Sequence, residues 1–222
     1  MRVAVSGSHG TGKSTLIAAF VAKRPEYTYE PEAYETLADD VTLSSSEGPD
    51  LESLAALLEH TASVLAGHGP GVSAIFERSP ADYLAYAAAR RSTTASERAE
   101  FMRMYVPTVR ESIRTLDLIV LLPVSTSGPI LARPHEDERF RKRVDDKLRR
   151  TLIDDDYNLF EDACRPFVLE LSPFPAQQLA ELMRRTGERR LVRSQAASNN
   201  RLERSGEAPA AQRERSAALI GA

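Results

Sequence analysis

The run Gly7-Ser8-His9-Gly10-Thr11-Gly12-Lys13-Ser14 sets three glycines, a lysine and a hydroxyl within eight consecutive positions. That combination suits the grip of a polyphosphate. Glycines let a turn fold back so tightly that several backbone N–H groups converge on one anion, and a helix opening straight after the turn adds the partial positive charge of its N-terminus. A lysine at the helix mouth reaches β- and γ-phosphate oxygens, and the hydroxyl beside it ligates a magnesium ion. The pattern G-x-x-x-x-G-K-[ST] is met at every fixed position. From average residue frequencies that happens by accident in roughly one chain in a hundred of this length, and less often with a strand before it and a helix after it. Gly7, Ser8, His9, Gly10, Thr11, Gly12, Lys13, Ser14 and Thr15 are therefore expected to bind ATP, with Ser14 on Mg²⁺ and His9 lining the loop. The dinucleotide fingerprint G-x-G-x-x-G fits less well, because the glycines here run G-x-x-G-x-G and it gives Lys13 and Ser14 no role.

Two further stretches end in carboxylates. In AIFERSPADYLAY, Glu77 and Arg78 close an apolar strand, and ligands of open α/β sheets bind at that carboxyl end. Glu77 could hold Mg²⁺ through water or take a proton, and Arg78 could clamp a phosphate or an acceptor. The plainer alternative is an ion pair that closes the strand. In TYEPEAYE, Glu30 ends another strand before Pro31. A carboxylate beside the γ-phosphate can deprotonate an attacking hydroxyl. Glu32 and Glu35 lie near enough to take that part instead, and an exposed loop acid is the plainer reading.

The elements that must position these groups follow from local pattern. Arg2 to Ser6 reads as a strand, and a helix runs from about Lys13 to before Pro25. Tyr27 to Glu30 is a short strand, Leu43 to Asp50 a polar loop, and Asp50 the cap of a helix bearing Leu51, Leu54, Leu57, Leu58, Val64 and Leu65. Val72 to Glu77 is a strand, Ser79-Pro80 opens a helix, and a longer one spans about Ala95 to Leu116, bent at Pro107. LDLIVLLPV is continuously apolar, as a strand buried on both faces must be. A charged helix, the strand RPFVLELS and a helix from Pro173 to about Thr186 complete the alternation. Strands alternating with helices predict an α/β fold, a three-layer α/β/α P-loop domain whose five parallel strands run in the order 2-3-1-4-5.

Composition sets the outer limits. The chain has 222 residues, a net charge of −3 and a single cysteine, Cys164. That allows one ordinary domain, expected over 1–190, and no internal disulfide. Nine Arg against four Glu crowd the span from Arg184 to Ala222. Residues 191–222 have little apolar periodicity and are expected to be a disordered tail, with a short helix near Ala210 to Ile220 as an option. The remaining, acidic body argues against a general nucleic-acid binder. No run reaches the ~20 apolar residues of a membrane span, and no leader pattern precedes Arg2, so a cytoplasmic protein is the expectation. Oligomerisation is left open. A GTPase would usually carry N-K-x-D, which is missing. A motor ATPase would carry an acid after four apolar residues, where LIVLLP has Pro123.

G-x-x-x-x-G-K-S followed by E-P and then E-R-S resembles the motif order of the deoxyribonucleoside kinases. FERSPADYLAY is equally similar to the D-R-x-x-x-D-x-L-A-Y segment of small bacterial P-loop kinases and AAA-like ATPases, the ribosylnicotinamide kinases among them. The match covers about Met1 to Arg190. It implies that Glu30 is the base, that Glu77 and Arg78 form the acceptor and magnesium site, and that Asp82 is the segment's second acid. Two departures stand out: Tyr34 lies near the place where the nucleoside kinases have Trp, and Glu77 stands where the second group has Asp. Arg133, Arg139, Arg141, Lys142 and Arg143 crowd the region where small kinases close a lid over ATP. Arg139 and Arg143, four apart, share a helix face and are the pair expected on the phosphates, unless they pair with Glu136 or Asp146 on a solvated helix. The resulting expectation is transfer of the γ-phosphate of ATP to a small acceptor: a nucleoside, a nucleotide or a related metabolite. An ATPase switch acting on a protein partner is the alternative, and a non-catalytic nucleotide sensor a third.

Overall fold

A strand that is apolar on both faces must be covered on both, and a parallel sheet between helices provides that cover. The computed structural model describes residues 1–37, 43–45, 47–69, 71–124, 137–160, 166–172 and 174–187. In it, β1 (Arg2–Ser6), β2 (Thr28–Glu30), β5 (Ala74–Glu77), β6 (Leu118–Leu121) and β7 (Phe167–Glu170) form one parallel sheet. The order is β2-β5-β1-β6-β7, the expected 2-3-1-4-5 when these five are numbered alone. Val5 lies opposite Glu77 and Val120, so the loops after β1, β5 and β6 emerge at one edge. Val3, Ala4, Val5, Ile75, Leu118, Ile119 and Val120 are wholly buried. Burying each such branched side chain contributes about 1.5–3 kcal/mol relative to exposure.

The helices are α1 (Lys13–Lys23), α2 (Ala33–Thr36), α3 (Leu51–Gly67), α4 (Pro80–Ala89), α5 (Ala95–Ile113) and α6 (Glu138–Leu152). α1 packs on β1, β2 and β5, while α4 lies against α3, α5 and α6. Their starts are set by side chains. Asp50 Oδ1 accepts from the Ser53 N–H at 2.8 Å. Ser79 and Asp82 form a capping box with Pro80 in the first turn, and Thr94 and Glu97 form another. Pro107 sits inside α5 without ending it.

The polar stretch read as a loop contains a short antiparallel pair, β3 (Leu43–Ser45) and β4 (Gly48–Pro49). Gly48, at φ 71°, supplies the left-handed residue at the turn. Met1–Glu181 forms one unit and Leu182–Ala222 a second. Residues 175–187 are helical. The boundary expected after Arg190, the tail 191–222 and Cys164 lie outside the described residues.

Replacing Asp50 by Ala removes the cap acceptor of α3. Urea unfolding should show a loss of about 1 kcal/mol with an unchanged slope.

Candidate functional site

Between β1 and α1 the chain makes the tight turn that its glycines allow. Gly10 and Gly12 take φ 68° and 89°. A Cβ at Gly7 would stand 2.8 Å from the Leu122 carbonyl oxygen, so no larger residue fits there without moving β6. Lys13 follows, only 4% exposed, and its Nζ donates to the Ser8 carbonyl at 3.1 Å. Thr11 Oγ1 donates to the same carbonyl at 3.0 Å. Ser8 Oγ is buried and has no hydrogen-bond partner among the described residues. Ser14 and Thr15 are exposed in the first turn of α1, and His9 is half-buried.

A second shell of buried charge holds this turn. Asp82 is fully buried and accepts from Ser6 Oγ (2.6 Å), the Gly7 N–H (3.1 Å) and the Ser79 N–H (3.0 Å). Arg78 donates to the Gly7 carbonyl at 2.9 Å and to Asp82 Oδ1 at 3.3 Å. Its Nε pairs with Glu32, and its plane lies 5.0 Å from the Tyr86 ring centre. Burial disfavours the charged form of Glu32, but the charges of Arg78 and Lys13 outweigh that and hold its carboxyl below the usual carboxylate range. Glu32 is ionised at neutral pH and lies beside the phosphate turn.

Of the other two acids, Glu77 meets the turn and Glu30 turns elsewhere. Glu77 Oε1 accepts from Ser14 Oγ at 2.7 Å, and Oε2 accepts from the Tyr29 hydroxyl at 2.8 Å. Burial and the Glu77 carboxylate push the Tyr29 phenol well above its ordinary value, so it stays a donor. Glu30 Oε1 lies 3.0 Å from His68 Nε2, and His68 Nδ1 lies 2.9 Å from the Val64 carbonyl. The carboxylates whose fields act on Lys13 are Glu32, Asp82 and Glu77. Glu32 was weighed in the sequence only as a neighbour of Glu30. Its position depends on the break at Pro31 and the start of α2, which no local pattern fixes.

The arginines of α6 separate by helical phase. Arg139 is exposed at the helix start, where its N–H is capped by Asp137 at 2.8 Å. Arg143 donates to the Ala89 carbonyl at 3.1 Å and to Glu47, with its plane 5.4 Å from the Phe140 ring centre. Arg141 is the one that reaches the glycine turn. It is 4% exposed, its Nη2 stands 3.5 Å from the Gly10 carbonyl, and its buried Nε has no partner among the described residues. A signal for it is present in the sequence: Arg141 falls in the stripe Phe140, Val144, Leu148 that the helix buries. Arg133 and residues 125–136 lie outside the described residues.

Ser14 Oγ and the Glu77 carboxylate form a donor set suited to Mg²⁺, which takes a hydroxyl and a carboxylate and fills its octahedron with water and phosphate oxygens. No group of three His, Cys, Asp or Glu among the described residues offers an all-protein metal cage.

A family model described as an AAA domain matches residues 2–166. The chain belongs to this AAA domain family. No curated protein sequence matches it. Among solved structures, the deoxyadenosine kinase from M. mycoides with bound dATP is similar at 16% identity and TM-score 0.62, covering 84% of this chain and 100% of that one. The NadR protein in complex with NR is similar at 20% identity and TM-score 0.51, covering 77% of this chain and 43% of that one. NadR in complex with NAD and AMP-PNP gives 18% identity and TM-score 0.51, with 77% and 44% covered. These likenesses establish the fold, a parallel α/β sheet with flanking helices. Among the described residues no helix is long and apolar enough to cross a membrane.

In this AAA domain the lysine carries the most consequential electrostatics. Burial, reinforced by Arg78, lowers the Lys13 ammonium to about 8, against partial support from Glu32, Asp82 and Glu77. The folded value lies below the unfolded one, so between about 8 and 10.5 the unfolded chain binds more protons. The unliganded fold therefore gains stability as pH rises through that window. A polyphosphate beside Lys13 restores its proton. Nucleotide binding at about pH 8.5 should take up part of a proton, seen by calorimetry as a binding enthalpy that changes with the buffer's ionisation enthalpy. An enthalpy independent of buffer contradicts this, and Lys13→Met should abolish the uptake.

Proposed function

We propose that the chain transfers the γ-phosphate of ATP, with Mg²⁺, to a hydroxyl of a small nucleoside-like acceptor. The observation that carries this reading is the group of unspent donors at the glycine turn. Lys13 is buried with a depressed pKa, and Ser8 Oγ and the Arg141 Nε are buried without partners among the described residues. Buried donors without acceptors are costly, and a phosphate would supply acceptors to Ser8 Oγ, to the Arg141 Nε and to the Lys13 hydrogens that the Ser8 carbonyl does not take. The fold shared with a deoxyadenosine kinase and with NadR supports a nucleoside-like acceptor.

In this reading Lys13 and the turn amides beyond Gly7 hold the β- and γ-phosphates, and Arg141 adds a donor from α6. Ser14 would hold magnesium directly and Glu77 through water, and the ion would neutralise charge on the β- and γ-phosphates. Glu32 takes the part that the motif resemblance gave to Glu30. Its ionised carboxylate accepts the acceptor's O–H proton as that oxygen bonds to the γ-phosphorus. The bond from the γ-phosphorus to the β–γ bridging oxygen breaks, and its electron pair leaves on ADP. A carboxylate of low basicity suffices, because phosphoryl transfer has a loose transition state in which the proton leaves late. Arg78, held by Glu32 and Asp82, keeps that carboxylate in place.

Purified protein with ATP and Mg²⁺ should phosphorylate at least one member of a nucleoside and nucleotide panel, with little ATP hydrolysis when no acceptor is present. Rapid hydrolysis without any acceptor would instead support an ATPase switch. Lys13→Ala should abolish nucleotide turnover. Glu32→Gln should lower turnover by roughly 10²–10⁴ while ATP affinity changes little, and Glu30→Gln should stay within about threefold. The opposite ranking of the two glutamates would return the base to Glu30.

A further inference from the structure

The Glu77 carboxylate is gripped at both oxygens by donors from different elements, Ser14 Oγ from α1 at 2.7 Å and the Tyr29 hydroxyl from β2 at 2.8 Å. We propose that Tyr29 is a positioning residue for the magnesium site: its hydroxyl fixes the Glu77 carboxylate so that Glu77 accepts the Ser14 hydroxyl's hydrogen bond and leaves the Ser14 oxygen lone pairs facing the cation. This rests on the phosphotransfer reading above for the cation's presence.

A serine ligates a cation through oxygen, so its own proton must point away from the metal and needs an acceptor there. Glu77 Oε1 is that acceptor. A carboxylate turns easily about its last torsion, which is a broad, roughly two-fold well. One hydrogen bond leaves it free to swing its second oxygen toward the metal and displace Ser14. The second bond, from Tyr29, removes that freedom. The strands set the reach: Tyr29 stands opposite Ile75, and Glu77 is the next residue of β5 on the same face as Ile75.

Tyr29 is well placed to act through its hydroxyl rather than its bulk. It is 40% exposed on an edge strand, whereas Glu77 is 5% exposed. Removing the phenol oxygen therefore costs little packing and isolates one hydrogen bond to a charged group.

The test is Tyr29→Phe, read by electron paramagnetic resonance of Mn²⁺ bound in the presence of a non-hydrolysable ATP analogue. Mn²⁺ affinity should fall about ten- to a hundredfold, the size of one hydrogen bond to a charge. Affinity for the analogue in EDTA should stay within about twofold. The Mg²⁺ concentration giving half-maximal turnover should rise by the same factor as the Mn²⁺ dissociation constant. In a Glu77→Gln background the same substitution should have no further effect on Mn²⁺, because the two act as one unit. Unchanged Mn²⁺ affinity, an equal loss of analogue affinity in EDTA, or additive losses in the double variant would each overturn the proposal. If the unaltered protein binds the analogue but never Mn²⁺, the proposal fails while the nucleotide site stands. If it binds neither, the phosphotransfer reading fails with it.

Discussion

Burying an arginine is the constraint from which the rest of this site follows. Arg78 is 2% exposed, and a guanidinium out of water survives only where carboxylates and carbonyls take its charge and its donors. Glu32 and Asp82 supply the charge, and the Gly7 carbonyl and the Tyr86 hydroxyl take further N–H groups. The segment before α2, the phosphate turn, the end of β5 and α4 are thereby joined through one side chain. Arg78 itself sits at φ 75°, a left-handed conformation that costs a residue with a Cβ on the order of 1–3 kcal/mol. Its partners hold it there, and the backbone turn aims the guanidinium back under the loop instead of out along the strand. Asp82 then does for the backbone N–H what Arg78 does for the carbonyl: it receives the Gly7 N–H and the Ser6 hydroxyl, so the β1 end of the turn is anchored in α4.

A single helix braces the other side. Residues two apart on a helix point in different directions, so Arg141 and Arg143 cannot serve one ligand. Arg141 approaches the Gly10 carbonyl, while Arg143 binds Glu47 beside β4. Glu47 also accepts the Arg91 and Ser92 N–H groups, and Arg90 donates to the carbonyls of Glu47, Gly48 and Pro49. The segment carrying β4, the end of α4 and the start of α5 are fixed to α6 through Glu47, and α6 in turn carries Arg141 at the glycine turn. A shift of α6 would move the donor at the turn and the carboxylate beside β4 together.

The parts legible in sequence are those whose causes are local. The β1–turn–α1 unit was readable because glycine conformation, strand apolarity and the helix mouth all act within about twenty residues. The strand order expected of a P-loop domain is the one found, whereas apolar strands alone predict only that the sheet is parallel and covered on both faces. The pair β3–β4 was not readable, since three-residue and two-residue strands in a polar run carry no alternation to read. The choice between Glu30 and Glu32 was open for a different reason. Both follow apolar or aromatic residues near Pro31, and only the tertiary position of Arg78 separates them. Among the α6 arginines, counting four residues from Arg139 to Arg143 identified a shared ridge but not its direction. The direction is set by the apolar stripe, which carries Arg141 inward with Val144 and Leu148.

The same charge balance gives the proposed proton transfer a second consequence. At rest, the positive charge of Arg78 is matched by Glu32 and Asp82, and little of its field is left for a ligand. A proton arriving on Glu32 cancels one of those carboxylates, while Asp82 keeps the guanidinium anchored to Gly7 and α4. The cluster thereby loses one negative charge beside the turn at the moment the transferred group meets the acceptor oxygen. Because the cluster is buried, where screening by water and salt is weak, that change in field is felt strongly at short range. In the proposed reaction Glu32 would couple two events: loss of the acceptor's proton, and removal of a negative charge that would repel the phosphates. Glu30, paired instead with His68, stands outside that buried charge cluster.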